Sequence, residues 1–247
     1  MLRFMLAKAR AGAMRRFMRS FATSSFSATA IALFSSAPAG DPPAAWKFLS
    51  LPHKTPTRFS VVDLDSVRVL KVEADDSYGN IVHAVSLQPA AQTVLAWRWR
   101  VDRLIPEADL RTHAGDDSPA RICVFFAFDA ARLSLGERTK LSLARSTTSQ
   151  DVPTETVCYV WDNKLPVDTA LPNAFTRRVR VIVLQSGSDK LGQWITQQRN
   201  VVADYQRLFG DESGGTVPAI TGVALSADAD NTHGHALSYF GDVTLSP

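Results

Sequence analysis

From residue 46 onward, hydrophobic and polar positions alternate in short bursts separated by Gly, Pro, Asn and Asp. The clearest burst is Leu95-Ala96-Trp97-Arg98-Trp99-Arg100-Val101. Leu95, Trp97, Trp99 and Val101 share one face of it and Arg98 and Arg100 the other, the period of a strand with one buried side. Val179, Val181 and Val183 likewise oppose Arg178, Arg180 and Ile182. Ile182 and Leu184 continue that second face as apolar, so this strand is expected inside a sheet with both faces covered. Strands are predicted over 46–51, 58–63, 67–74, 80–87, 94–101, 120–128, 156–161, 178–185, 220–226 and 236–245. Roughly ten short strands with turn residues between them predict an all-β fold, a β-sandwich or jelly roll.

Two stretches leave the period-two pattern. Ser134 and Glu137 stand at capping-box spacing, which predicts a helix over 133–146. Asn200 is placed to cap a second helix over 201–209, with Gly210 as its C-terminal stop. Both short helices are expected to cover an edge or end of the sandwich.

Composition separates the first 39 residues from the rest. They carry Arg3, Lys8, Arg10, Arg15, Arg16 and Arg19 and no acidic residue, then an Ala-, Ser- and Phe-rich uncharged run over 21–34, then Ala37-Pro38-Ala39. A basic region, an apolar region and a small-x-small site in that order predict a cleavable export signal over 1–39 and one domain over 40–247 in the periplasm or outside the cell. A mitochondrial-type presequence shares the Arg and Ser bias; a membrane anchor needs about 20 apolar residues, and this run is shorter and broken by serines. No later run is apolar for that length. The 247 residues, 45% hydrophobic and 21% charged, suit a single domain with a sizeable core.

The leader also changes the meaning of the charge. It holds six of the 27 basic residues and none of the 24 acidic ones, leaving 21 against 24 and a net charge of −3. The sequence pI of about 9.0 is thus a property of the leader, and nucleic acid is not expected as a partner. Cys123 and Cys158 fall in strand-like runs; an oxidising compartment permits a disulfide, but two buried thiols are the expectation.

Several motifs together resemble one bacterial family. They are Trp97-Arg98-Trp99-Arg100-Val101, Ala114-Gly115-Asp116-Asp117 with Pro119-Ala120-Arg121-Ile122, Tyr159-Val160-Trp161-Asp162-Asn163, Gly192-Gln193-Trp194, Arg199-Asn200-Val201 with Asp204-Tyr205, Phe209-Gly210, and Asp228-Ala229-Asp230-Asn231-Thr232. In this order, over about 46–245, they are similar to the family catalogued as domain of unknown function 3047. The resemblance implies an exported protein with a sandwich similar to carbohydrate-binding jelly rolls, and no established reaction. Fold alone does not fix function.

Candidate chemistry is sparse. Glycosidic hydrolysis needs two carboxylates about 5–9 Å apart, and Glu73, Glu107, Glu137, Glu155 and Glu212 show no strand spacing that would pair them. Asp116 and Asp117 are adjacent and point oppositely if extended, which favours a turn with an Asp–Arg121 ion pair over a reactive site. Gly-x-Ser-x-Gly is absent, giving no support to a serine nucleophile, and His233 and His235 sit around Gly234 in a predicted hairpin loop, a poor zinc site. No cofactor is expected. The alternative is a structural calcium at Asp228, Asp230 and Asn231, although Thr232 and His233 break the Asp-x-Asp-x-Asp-Gly order and Asx turns explain the same letters.

Aromatic and basic positions give the binding reading its support. Tyr159, Trp161 and Asn163 alternate onto one face, where rings stack on sugars, whereas Trp97 and Trp99 read as core. Arg98, Arg100, Arg121, Arg178 and Arg180 would line a concave face suited to acidic sugars if their three strands were neighbours; Arg–Asp pairs at strand ends are the competing account. The function expected is a non-catalytic binding module for a saccharide or other envelope ligand, using Trp161, Asn163, Tyr159, Arg98, Arg100, Arg121, Arg180, Asp116 and Asp117. The alternatives are a polysaccharide lyase or hydrolase on the same scaffold and a structural protein without a small ligand.

Overall fold

The alternation read at 94–101 is realised as a strand whose Leu95, Trp97, Trp99 and Val101 are buried and whose intervening residues are half-exposed. The computed structural model describes residues 29–148 and 153–246. Its strands in chain order are β1 (Thr29–Ala32), β2 (Trp46–Leu49), β3 (Arg58–Leu64), β4 (Val67–Asp75), β5 (Asn80–Leu87), β6 (Val94–Arg103) and β7 (Ser118–Phe126). They continue with β8 (Glu155–Asp162), β9 (Ala170–Pro172), β10 (Val179–Ser186), β11 (Ile195–Asn200), β12 (Ile220–Asp228), β13 (His235–Phe240) and β14 (Val243–Ser246).

Two sheets result, as a jelly-roll-like sandwich. The first runs β1-β14-β6-β13-β4-β3, with β11 on the other side of β6. The second runs β2-β5-β12-β7-β8-β10-β9 and is antiparallel except for β8 beside β10. Inner faces meet in one apolar core: Trp97 of β6 packs on Tyr159 of β8 with ring centroids 5.5 Å apart, and Trp99 on Trp161 at 6.1 Å. Rings of this size bury the largest apolar area per residue and dominate such a core.

The two predicted helices form. In α1 (Leu135–Thr148) the capping box is closed, Ser134 Oγ accepting from the Glu137 N–H at 3.3 Å while Glu137 Oε2 accepts from the Ser134 N–H at 3.3 Å. In α2 (Val201–Ser213) Asn200 accepts from the N–H groups of Val202 and Ala203. The helix runs through Gly210, which was expected to stop it, because Glu212 is engaged by two arginines and Ser213 is buried. Gly214, at φ +64°, ends it. Tyr205 and Phe209 of α2 plug one end of the sandwich.

Other expectations are corrected. The strand over 236–245 is broken at Gly241-Asp242 into β13 and β14, both hydrogen-bonded to β6. The short strands β1, β9 and β11 were not foreseen. Cys123 and Cys158 are not free thiols: the β7–β8 register sets them directly opposite, Cα atoms 4.0 Å apart, and a disulfide joins them on the outer face of the second sheet.

The predicted leader lies outside the described residues as far as residue 28. From Thr29 the chain is part of the sandwich: β1 pairs with β14, Phe34 is fully buried against Trp46, and the Ser35 N–H and hydroxyl donate to Asp242 at 2.9 and 2.6 Å. The body therefore takes in residues that the sequence reading assigns to the leader. Among the described residues, no helix is long and apolar enough to cross a membrane.

Candidate ligand-binding site

Six of the predicted site residues meet in one place. Arg121 projects from the outer face of β7 and is buried between two carboxylates, Nη1 3.4 Å from Asp228 and Nη2 3.8 Å from Asp116. Asp116 belongs to the turn entering β7, and Asp228 ends β12, the neighbouring strand, where its carboxylate accepts the Ser118 N–H at 2.9 Å. Burial pushes the Asp228 carboxyl up to about 7 although Arg121 pulls the other way, and raises Asp116 for the same reason.

Asp117 caps the turn after β12. It accepts from the Thr232 N–H at 2.8 Å, the Thr232 hydroxyl at 2.6 Å and the Asn231 side-chain amide at 3.1 Å. Asp230 pairs with Lys54 at 2.5 Å. The three residues named for a structural calcium have protein partners here: Asp228 faces Arg121, Asp230 faces a lysine, and Asn231 turns its amide donor to Asp117. Among the described residues, no group of three or more His, Cys, Asp or Glu is placed to hold a metal ion.

The charge cluster ties down a loop that the sequence did not single out. Asn173 donates from Nδ2 to Asp116, and its own Oδ1 accepts from the N–H groups of Phe175 and Thr176 at 3.0 and 3.3 Å, an Asx turn. His113 donates from Nε2 to the Ala174 carbonyl at 2.6 Å and packs face to face on Phe175. Phe175 is 58% exposed. It stands at a groove of about 400 Å³ between α1 and residues 173–179, where Glu137, Lys140 and Leu141 face Phe175, Arg177 and Arg178.

The charges around the groove differ in freedom. Arg178 is committed three ways: Nη1 to Glu155 at 3.0 Å, Nε to Glu137 at 3.2 Å, and Nη2 to Glu212. Glu155 is fully buried and accepts the Tyr205 hydroxyl at 2.5 Å. Its burial raises its pKa against the pull of Tyr205 and Arg178. Lys140 and Arg177, by contrast, are exposed and have no ion pair or side-chain hydrogen bond among the described residues. The groove thus offers an aromatic face and two uncommitted cations, with its carboxylates turned to arginine.

The other predicted site residues are elsewhere. Trp161 and Tyr159 are fully buried on the inner face; the indole N–H of Trp161 donates to the Gly187 carbonyl at 3.1 Å and the Tyr159 hydroxyl to Asp204 at 2.8 Å. They are core, not stacking platforms. Asn163 is half-buried and donates to the Ile105 carbonyl, tying the end of β8 to the 104–108 loop. Arg180 lies on the inner side of the second sheet, pairs with Glu212, donates to the Leu208 carbonyl and sits 4.1 Å over the Phe209 ring, so it fastens α2. Arg98 and Arg100 are on the outer face of the first sheet. The arginines therefore do not share one concave face. Phe175, Arg177 and Lys140 were missed; the available signal was a lone large aromatic in a polar loop outside any alternation.

No curated protein shows significant sequence similarity to the chain. Among solved structures, a native family 12 xyloglucanase from Bacillus licheniformis aligns with 89% of this chain and 98% of its own at TM-score 0.45 and 8% identity. The xyloglucanase domain of NopAA from Sinorhizobium fredii aligns with 81% and 92% at TM-score 0.43 and 8% identity. The Endo-D glycoside hydrolase domain from Streptococcus pneumoniae aligns with 81% at TM-score 0.33 and 10% identity, this chain spanning only 21% of it. Similarity at this level carries nothing about activity. The family model described as "Protein of unknown function (DUF3047)" matches residues 44–244, most of the chain, which therefore belongs to that family.

Proposed function

We propose that this protein is an exported, non-catalytic binding module for an acidic saccharide or a similar anionic envelope ligand, taken up in the groove beside Phe175. The observation that carries the reading is the Phe175 ring, held open to solvent at the groove by its stack on His113. A backed, exposed ring suits the apolar face of a pyranose, and Arg177 and Lys140 supply charge for a carboxylate or phosphate substituent. A binding role fits better than catalysis because Glu137, Glu155 and Glu212 are occupied by Arg178, and Asp116 and Asp228 by Arg121. Export is supported by the basic leader and by the Cys123–Cys158 disulfide, a bond favoured in oxidising compartments.

A glycan array carrying uronate- and phosphate-bearing oligosaccharides tests the reading. Binding is expected for the full chain, lost in Phe175→Ala and weakened in Arg177→Ala. Binding that persists in Phe175→Ala removes the site, no binding to any glycan removes the class, and release of reducing or unsaturated ends makes the protein a polysaccharide-acting enzyme.

A further inference from the structure

Arg98 is held in a conformation that leaves its donors unused. Its strand, β6, has Thr196 of β11 as register neighbour on one side and Gly241 on the other, and the Gly241 N–H donates to the Arg98 carbonyl at 2.9 Å. A Cβ on Gly241 would stand 2.6 Å from both Cγ and Nε of Arg98, so only glycine lets the stem lie across this strand. The guanidinium carbon sits 4.6 Å from the centroid of the Trp194 ring, a cation–π contact that holds the group beside the indole without using its N–H donors.

The neighbouring carboxylates are taken. Asp65 accepts from the Trp194 indole at 3.2 Å and from Arg100 at 3.3 Å, and Asp102 accepts from Arg100 at 2.6 Å. Among the described residues Arg98 has no ion pair and no side-chain hydrogen bond, although it is half-buried. Unpaired guanidinium donors across the register from exposed Thr196 suit the planar fork geometry of an oxyanion.

We propose that Arg98, Trp194 and Thr196 form a second ligand site, on the outer face of the first sheet, for the carboxylate or phosphate group of an acidic polymer. It is separate from the Phe175 groove and stands on different residues. With both sites filled, one molecule bridges two chains or two segments of a chain.

Trp194 makes the test direct, because Trp46, Trp97, Trp99 and Trp161 are buried and it is half-exposed. Acrylamide quenching of tryptophan emission is measured on the full chain with oligogalacturonate, with inorganic phosphate, and with potassium chloride at matched ionic strength. Saturable protection is expected from oligogalacturonate, phosphate or both, and not from chloride. It weakens about tenfold or more in Arg98→Ala, is lost in Thr196→Glu, which sets a carboxylate beside Arg98 without touching the core, and is unchanged in Phe175→Ala. Protection by oligogalacturonate alone identifies a carboxylate ligand, and by phosphate alone a phosphate ligand. No protection in either arm, or equal protection in wild type, Arg98→Ala and Thr196→Glu, overturns the proposal. Protection lost in Phe175→Ala but kept in Arg98→Ala also overturns it and assigns the anion to the groove.

Discussion

His113 lies flat against Phe175, with ring centroids 4.4 Å apart and planes 9° from parallel. One residue comes from the loop before β7 and the other from the loop before β10, so the stack zips two loops over the second sheet. A ring supported from behind loses less freedom when a ligand stacks on its front. His113→Ala is expected to weaken ligand binding by about 1 kcal/mol, roughly fivefold, without displacing the Arg121 cluster. Calorimetric titration of the glycan selected by the array measures it; an unchanged affinity would mean that Phe175 needs no backing.

Arg121 should be highly sensitive to substitution. Replacing it by Met leaves Asp116 and Asp228 buried without their cation, and breaking a buried ion cluster by removing one partner costs about 3–5 kcal/mol. Urea unfolding of Arg121→Met at pH 8, where Asp228 is ionised, gives the number. A loss below about 1 kcal/mol would show that water reaches the carboxylates.

The Asp228 carboxyl leads to an expectation opposite in sign to that of a surface salt bridge. Its pKa in the folded chain, about 7, lies above the unfolded value, so the folded state binds the extra proton between pH 4 and 7. This group therefore favours folding most at the acidic end of that window, and its contribution falls as pH rises towards 7. The stability deficit of Asp228→Asn relative to wild type should be larger at pH 5 than at pH 8. Equal deficits at the two pH values would show a carboxylate ionised throughout.

Phe34 tests where the folded body begins. It is fully buried and stacks on Trp46 at 5.8 Å, and Ala37 accepts a hydrogen bond from Arg68. Phe34→Ala is expected to cost about 3–5 kcal/mol. A chain starting at Thr29 should unfold at the same urea concentration as the full chain, and one starting at Gly40 well below it. If all three unfold together, the segment before Gly40 adds nothing to the domain.

Legibility in the sequence followed the physics of each element. Leu95-Ala96-Trp97-Arg98-Trp99-Arg100-Val101 was readable because one face is buried and the other is not, and Asn200 and the Ser134–Glu137 pair because capping is local. The edge strand β11, Ile195-Thr196-Gln197-Gln198-Arg199-Asn200, was not, since its polar sequence borrows order from β6. The site divided in the same way. Asp116 and Arg121 were readable as an ion pair between a turn and the strand it enters, but Asp228 joins them only through the β7–β12 register, and registers are not written in spacing. Trp161 and Tyr159 were misassigned to a ligand because period-two alternation separates two faces without saying which is covered; here the face is closed by the first sheet and α2.

The Cys123–Cys158 bond spans 35 residues of chain that include all of α1, one wall of the Phe175 groove. A protease that cuts anywhere within that span leaves both fragments covalently joined, with the β7–β8 pairing intact. A nicked molecule is therefore expected to run as a single species on a non-reducing gel and as two on a reducing one, and to keep its groove until the disulfide is reduced.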